Sequence, residues 1–173
     1  MNKTKTILSV MIISAIIILC TLLRVPDNDS LLDRSSFLTP RDYDLYLLER
    51  LGQGECSICT EDEIKMVMSV AINRVNCSRF PDNLHDVLYQ DNQFHGMYRV
   101  DRDTFGNEII SKKVTRCAEY IIDNGPVIEP NILGFLYPSG IKSSIGKIWY
   151  RKVLDSVKYE MQYHHFYSGR PCE

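Results

Sequence analysis

Net charge is almost absent from this chain. Its 173 residues carry 20 Lys and Arg against 22 Asp and Glu, a formal −2. That gives no grip on a phosphate backbone, so nucleic acid is not an expected partner. Internal repeats and low-complexity tracts are missing too. The composition, 45% hydrophobic and 24% charged, is that of a globular protein rather than a disordered one. Zinc ligands are short as well. Cys56-x-x-Cys59 has no second pair at zinc spacing, because Cys77 and Cys117 stand alone and His164 and His165 are adjacent. No metal is therefore assigned and no cofactor is called for. A redox or metal protein built on Cys56-x-x-Cys59 remains the rival class that thiol counting would test.

Near the N-terminus, charge disappears altogether. Lys3 and Lys5 precede residues 7–23, ILSVMIISAIIILCTLL, and Arg24 and PDNDS follow. A signal peptide or an uncleaved anchor both fit, since spanning takes roughly 17–25 apolar residues. There is no Ala-x-Ala-like cleavage site and no lipobox before Cys20, which favours an anchor. Lys3 and Lys5 would stay cytoplasmic, leaving the rest on the periplasmic or cell-wall side, or secreted if the segment is cut. The expected organisation is residues 1–24 as anchor or signal, 25–41 as tether and 42–173 as the folded domain. That domain holds Cys56, Cys59, Cys77, Cys117 and Cys172. An oxidising compartment predicts at least one disulfide among them, and the odd count leaves one thiol over.

Periodicity predicts helices. Leu45, Leu47, Leu48 and Leu51 mark one over about 41–52, with Gly52 and Gly54 as its stop. Glu55 would then lie in a bend past the helix end. Thr60 and Glu63 read as a capping box. Ile64, Val67, Met68, Ala71, Ile72 and Val75 follow as one buried face, with Asn73 and Arg74 on the other faces. Glu61, Asp62 and Glu63 suit the positive end of a helix dipole. Phe80-Pro81-Asp82-Asn83 is a turn, Leu84 to Tyr89 a short helix and Gln93-Phe94 a loop. A further helix is predicted over about 108–124, stopped by Gly125-Pro126. NILGFLYP and MQYHHFYS have strand character. The fold class is α+β, helix-dominated, with a small β element near the C-terminus.

Taken in order, these pieces resemble a known family. They are Glu55 beside a glycine, Ala71-Ile72-Asn73-Arg74-Val75, Phe80-Pro81-Asp82, Asp86-Val87-Leu88-Tyr89-Gln90, Gln93-Phe94, Phe135-Leu136-Tyr137-Pro138 and His165-Phe166-Tyr167. Residues 42–167 are similar to the spore-cortex-lytic type of cell-wall hydrolase (SleB/CwlJ-like), of the lysozyme-like superfamily. Cys59 stands where that family often has a second glutamate, and no Asn separates Tyr137 from Pro138.

The resemblance implies peptidoglycan as substrate and cleavage between N-acetylmuramic acid and N-acetylglucosamine. It puts Glu55 in the catalytic role and Asn73, Gln93, Phe94, Tyr137 and His165 against substrate. Cleaving a glycoside needs a proton delivered to the leaving oxygen, for which a glutamate among apolar residues is suited. Apart from Arg50, Glu55 has no cationic neighbour in sequence. Lytic transglycosylases of the superfamily use one glutamate, first as acid and then as base for the sugar's 6-hydroxyl, giving a 1,6-anhydro end. That is the expected mechanism. A hydrolytic muramidase and a non-catalytic peptidoglycan-binding protein are the alternatives, and a phage endolysin or a bacterial wall enzyme would both suit the chain.

Overall fold

The computed structural model describes residues 38–172. The expected anchor, residues 7–23, and nearly all of the tether lie outside them. Among the described residues no helix is long and apolar enough to cross a membrane. The chain divides into two units, Met1–Leu38 and Thr39–Glu173, and the second holds the elements below.

Two helices organise the core. The first, α1 (Pro40–Cys56), starts at Thr39, whose side chain accepts from the Asp42 N–H, with Pro40 in the first turn. It does not stop at Gly52. It runs four residues further, so Glu55 sits in its last turn rather than in a bend. The glycines are there for packing. A side chain on Gly52 would meet Met68 and Val114, and one on Gly54 would meet the backbone of Gly96. Tertiary contact outweighs their low helix propensity.

The second helix, α2 (Glu61–Val75), is capped by Thr60, which accepts from the Glu63 N–H. Ile64, Val67, Met68 and Ala71 are fully buried, as the periodicity predicts. Burial extends further round, to Met66, Ser69, Val70, Asn73 and Arg74. A helix apolar on one stripe only would leave those last two in water. This one is enclosed by α1, by α4 (Lys112–Asn124) and by the first strand. The expected start of α4 at 108 moves to Ser111, whose side chain caps it through the Val114 N–H. Val114, Cys117 and Ile121 face inward.

Between α2 and α4 come the short α3 (Leu84–Leu88) and a 3-10 turn, His95–Arg99. The C-terminal part forms a three-stranded antiparallel sheet in the order β1-β3-β2: β1 (Ile132–Leu136), β2 (Val157–Glu160) and β3 (His165–Ser168). Phe135 pairs with Phe166, and Leu136 with His165. The α5 helix (Ser144–Val153) has no buried residue. Neither it nor β2 shows in the sequence pattern, because that stretch alternates charge with apolar residues and packs little. Cys56 bonds Cys59, and Cys77 bonds Cys172 across 95 residues. Cys117 is the leftover thiol, and burial pushes it above its ordinary pKa.

Candidate active site

Glu55 is fixed by a backbone crossing. At Gly54 and Gly96 the last turn of α1 and the 95–99 turn touch so closely that neither residue has room for a Cβ. That approach brings the Gly96 N–H to Glu55 Oε1, a 2.6 Å hydrogen bond. Arg50, one turn earlier on the same helix, holds the turn from beneath. Its guanidinium donates to the Met97 carbonyl at 3.0 Å and to the Tyr89 hydroxyl at 2.8 Å. Its Nε lies 3.2 Å from Glu108 Oε1, an ion-pair distance without hydrogen-bond alignment. Glu108 is partly buried, its side chain 9% exposed, so the pair braces the turn largely out of solvent.

The carboxylate lines a groove of ≈ 230 Å³ with Gln93, Phe94, Phe135, Tyr137, His164 and Arg74. Leading into the 3-10 turn, Asn92 and Phe94 have φ of 60° and 29°, the left-handed region that non-glycine residues avoid. Such strain costs of order 1–3 kcal/mol and persists where the surroundings impose it. Here Phe94 is held by the Phe135 ring, 5.9 Å away, and by the Arg74 guanidinium 4.8 Å above it. Tyr137 is half exposed at the groove edge, 6.1 Å from the His164 ring.

Arg74 changes the electrostatics expected from sequence. Glu55 lacks cationic neighbours along the chain, but Arg74 of α2 reaches the same groove. Nε donates to the Leu133 carbonyl and Nη1 to Gln93 Oε1, at 2.8 and 2.7 Å. Burial pushes the guanidinium below its ordinary pKa. The same arginine and Gln93 also line a neighbouring cavity of ≈ 560 Å³, so the groove continues along the surface.

Of the residues expected against substrate, the fold brings Gln93, Phe94 and Tyr137 together with Glu55. Asn73 lies elsewhere. It is 3% exposed, and its amide donates to the Glu129 and Ile132 carbonyls at 2.8 and 3.1 Å. It ties α2 to the start of β1. His165 also lies away from the groove, its Nδ1 3.0 Å from the Tyr150 hydroxyl. Trp149 stands edge-on to Tyr167, 5.8 Å away, outside the groove.

His164, not His165, lines the groove, together with His95. Strand alternation could have found His164: Phe166 is fully buried, so the residue two before it shares its inward face and His165 points the other way. Glu63 was missed for a different reason. Its backbone takes part in the helix cap, but its side chain does not close the capping box. The carboxylate is fully buried, and Oε1 accepts from the Tyr163 and His164 N–H groups and lies 3.0 Å from His164 Nδ1.

A helical core and a small sheet frame a groove with one carboxylate at a helix end. The sequence model of the Cell Wall Hydrolase family matches residues 60–167. The chain belongs to that family, and so to the enzymes that cut peptidoglycan. Gln93, Phe94, Tyr137 and His164 fall inside the matched segment, and Glu55 lies just ahead of it. Two solved structures share the fold. The catalytic domain of the Bacillus cereus SleB protein is 16% identical, with a TM-score of 0.58, covering 73% of this chain and 91% of that one. The catalytic domain of the germination-specific lytic transglycosylase SleB from Bacillus anthracis is 15% identical, with a TM-score of 0.58, covering 72% and 93%. Among curated proteins none matches.

The two readings of Asn73 differ measurably. Asn73→Ala strands two carbonyls, one of them deeply buried, at about 1–3 kcal/mol. The urea midpoint is expected to fall with the slope unchanged, and activity per folded molecule to stay at the wild-type level. A loss of activity with an unmoved midpoint would put Asn73 back in contact with substrate.

Proposed function

We propose that this protein cleaves the β-1,4 bond between N-acetylmuramic acid and N-acetylglucosamine as a lytic transglycosylase, with Glu55 as its acid and base. The observation that carries this reading is that Glu55 is the one carboxylate among the residues lining the ≈ 230 Å³ groove, Asp91 lining only the neighbouring cavity. Two-carboxylate glycosidases need the second group on the opposite face of the sugar. A single carboxylate can act first as acid and then as base for the substrate's own hydroxyl.

The Gly96 N–H holds Glu55 Oε1, leaving Oε2 for proton transfer. Protonated Glu55 gives its proton to the glycosidic oxygen as the bond to C1 of the muramic acid breaks. The departing N-acetylglucosamine keeps that oxygen as its 4-hydroxyl. Glu55, now a carboxylate, takes the proton of the muramic 6-hydroxyl while O6 bonds to C1, which closes the 1,6-anhydro ring and restores the acid. Tyr137, half exposed at the edge, offers an aromatic face to a sugar ring. Gln93, oriented by Arg74, offers an amide to hydroxyl or acetamido groups.

Clearing of purified cell walls by the full-length chain tests the enzyme reading. Turbidity that holds steady while the protein sediments with the walls would leave a binder instead. We further propose that residues 7–23 keep the catalytic unit at the membrane, facing the wall, a reading supported by their lack of charge after Lys3 and Lys5. The two disulfides fit that oxidising side. The full-length chain is then expected in the membrane fraction. Recovery of a shortened soluble form alone would mean a cleaved signal.

A further inference from the structure

Four metal-binding side chains from separate parts of the chain meet beneath the groove. Cys56 ends α1, Cys59 lies in the turn after it, Glu63 is in the first turn of α2, and His164 immediately precedes β3. Their ligand atoms all lie within 4.8 Å of one another, and all four residues are buried. His164 Nδ1 is the common neighbour. It is 3.6 Å from Cys56 Sγ, 4.0 Å from Cys59 Sγ and 3.0 Å from Glu63 Oε1.

The three His164 separations lie within a few tenths of an ångström of the edges of a zinc tetrahedron, and the two sulfurs, 2.06 Å apart as a disulfide, part on reduction. With Zn–S bonds of about 2.3 Å and Zn–N or Zn–O bonds of about 2.0–2.2 Å, those edges are roughly 3.3–3.8 Å. A second observation points the same way: Glu63 Oε2 is buried with no hydrogen-bond partner. A buried carboxylate oxygen is rarely left bare unless something else can satisfy it. Sequence spacing gave Cys56-x-x-Cys59 no second ligand pair. The fold supplies one, with His164 brought in from 105 residues beyond Cys59.

We propose that, when Cys56 and Cys59 are reduced, their two sulfurs, His164 Nδ1 and Glu63 bind a zinc-type divalent cation, so that one cluster has a disulfide state and a metal-thiolate state. A thiol or phosphine reductant gives two electrons to the Cys56–Cys59 bond and is itself oxidised, and the two sulfurs take up two protons. Metal binding then releases those two protons to solvent. His164 frees Nδ1 by carrying its proton on Nε2. The metal neither gains nor loses electrons, and the ligand types are those zinc prefers. Each state closes the turn between α1 and α2, the disulfide in an oxidising compartment and the metal in a reducing one. The chain would therefore hold this corner of the fold on either side of the membrane.

The test uses the full-length chain in detergent, reduced with a phosphine and titrated with Co²⁺. The expected result is the visible d–d absorption of a tetrahedral cobalt thiolate, saturating at about one ion per chain and bleached by Zn²⁺. The oxidised chain should show no such bands. Cys59→Ser should abolish them, and Cys77→Ser, at the distal disulfide, should retain them. Circular dichroism and thiol counting follow the same samples. If reduction loosens the fold, Co²⁺ should restore the native spectrum. A reduced, native chain without cobalt bands, bands that survive Cys59→Ser, or a loosened fold that metal does not restore would each overturn the proposal. The absorption reads the metal directly, so the answer does not depend on wall cleavage.

Discussion

Glu55→Gln is expected to lower the lytic rate by about 10²–10⁴-fold, the range that general acid catalysis contributes, with little change in folding. The substitution keeps the side chain's length. The Gln oxygen can still accept from the Gly96 N–H, so the contact between α1 and the 95–99 turn survives. What is lost is the proton that reaches the leaving oxygen. Binding of wall material should stay near wild type, because Tyr137, Gln93 and the groove walls are untouched. The measurement is a rate of wall clearing at matched amounts of folded protein, with sedimentation to follow binding. A variant with nearly full rate would remove Glu55 from the chemistry.

Gly54→Ala is the structural counterpart and should be the most damaging single methyl in the domain. A Cβ there would press into the carbonyl and carbon of Gly96, and both partners are backbone. No rotamer change relieves that clash. The 95–99 turn would have to move away, breaking the Gly96 bond to Glu55 and the Arg50 bond to the Met97 carbonyl. Overpacking a close contact costs about 1–3 kcal/mol and sometimes more. With two anchoring hydrogen bonds also lost, about 3 kcal/mol or more is expected. Thermal unfolding should drop by roughly 10 °C, and activity should fall even well below that temperature, because the carboxylate loses its fixed position. By contrast, Gly125 is a helix terminator with open space around it but a φ of +81°, so a methyl there should strain the backbone and leave the groove unaffected. Equal loss of activity per folded molecule at Gly54 and Gly125 would argue against a special crossing at Gly54.

The same glycine shows how far the sequence could be read. Apolar spacing along 41–52 and 61–75 announced both central helices, and Thr60 announced the start of the second. Gly52 and Gly54, read by local propensity, announced an end that does not exist. Gly54 answers to Gly96, more than 40 residues away, and Gly52 to Met68 and Val114 on other helices, which no local pattern contains. Glu55 stood out beside a glycine and was expected in a bend; neither the helix that carries it nor the backbone it meets was visible in the sequence. For the histidines the error was one residue. Both choices stand beside aromatic residues, and only the inward face fixed by Phe166 selects His164. Glu63 was hidden behind a sufficient local explanation, since an acidic residue in a first helical turn needs no other. Arg74 and Asn73 were placed on outer faces because polar residues usually are. Instead α2 is enclosed; Asn73 spends its amide on carbonyls of the β1 region, and Arg74 divides its donors between the Leu133 carbonyl and Gln93.

The most direct test of the central claim is mass spectrometry of the sugar ends released from purified peptidoglycan by the full-length chain, with Glu55→Gln digested alongside. Wild type is expected to release muropeptides with 1,6-anhydro-muramic ends, and the variant almost none. Reducible muramic ends would mean that water replaces the 6-hydroxyl as nucleophile. Intact glycan strands after wall clearing, or the same anhydro products in equal yield from Glu55→Gln, would contradict single-carboxylate cleavage by Glu55.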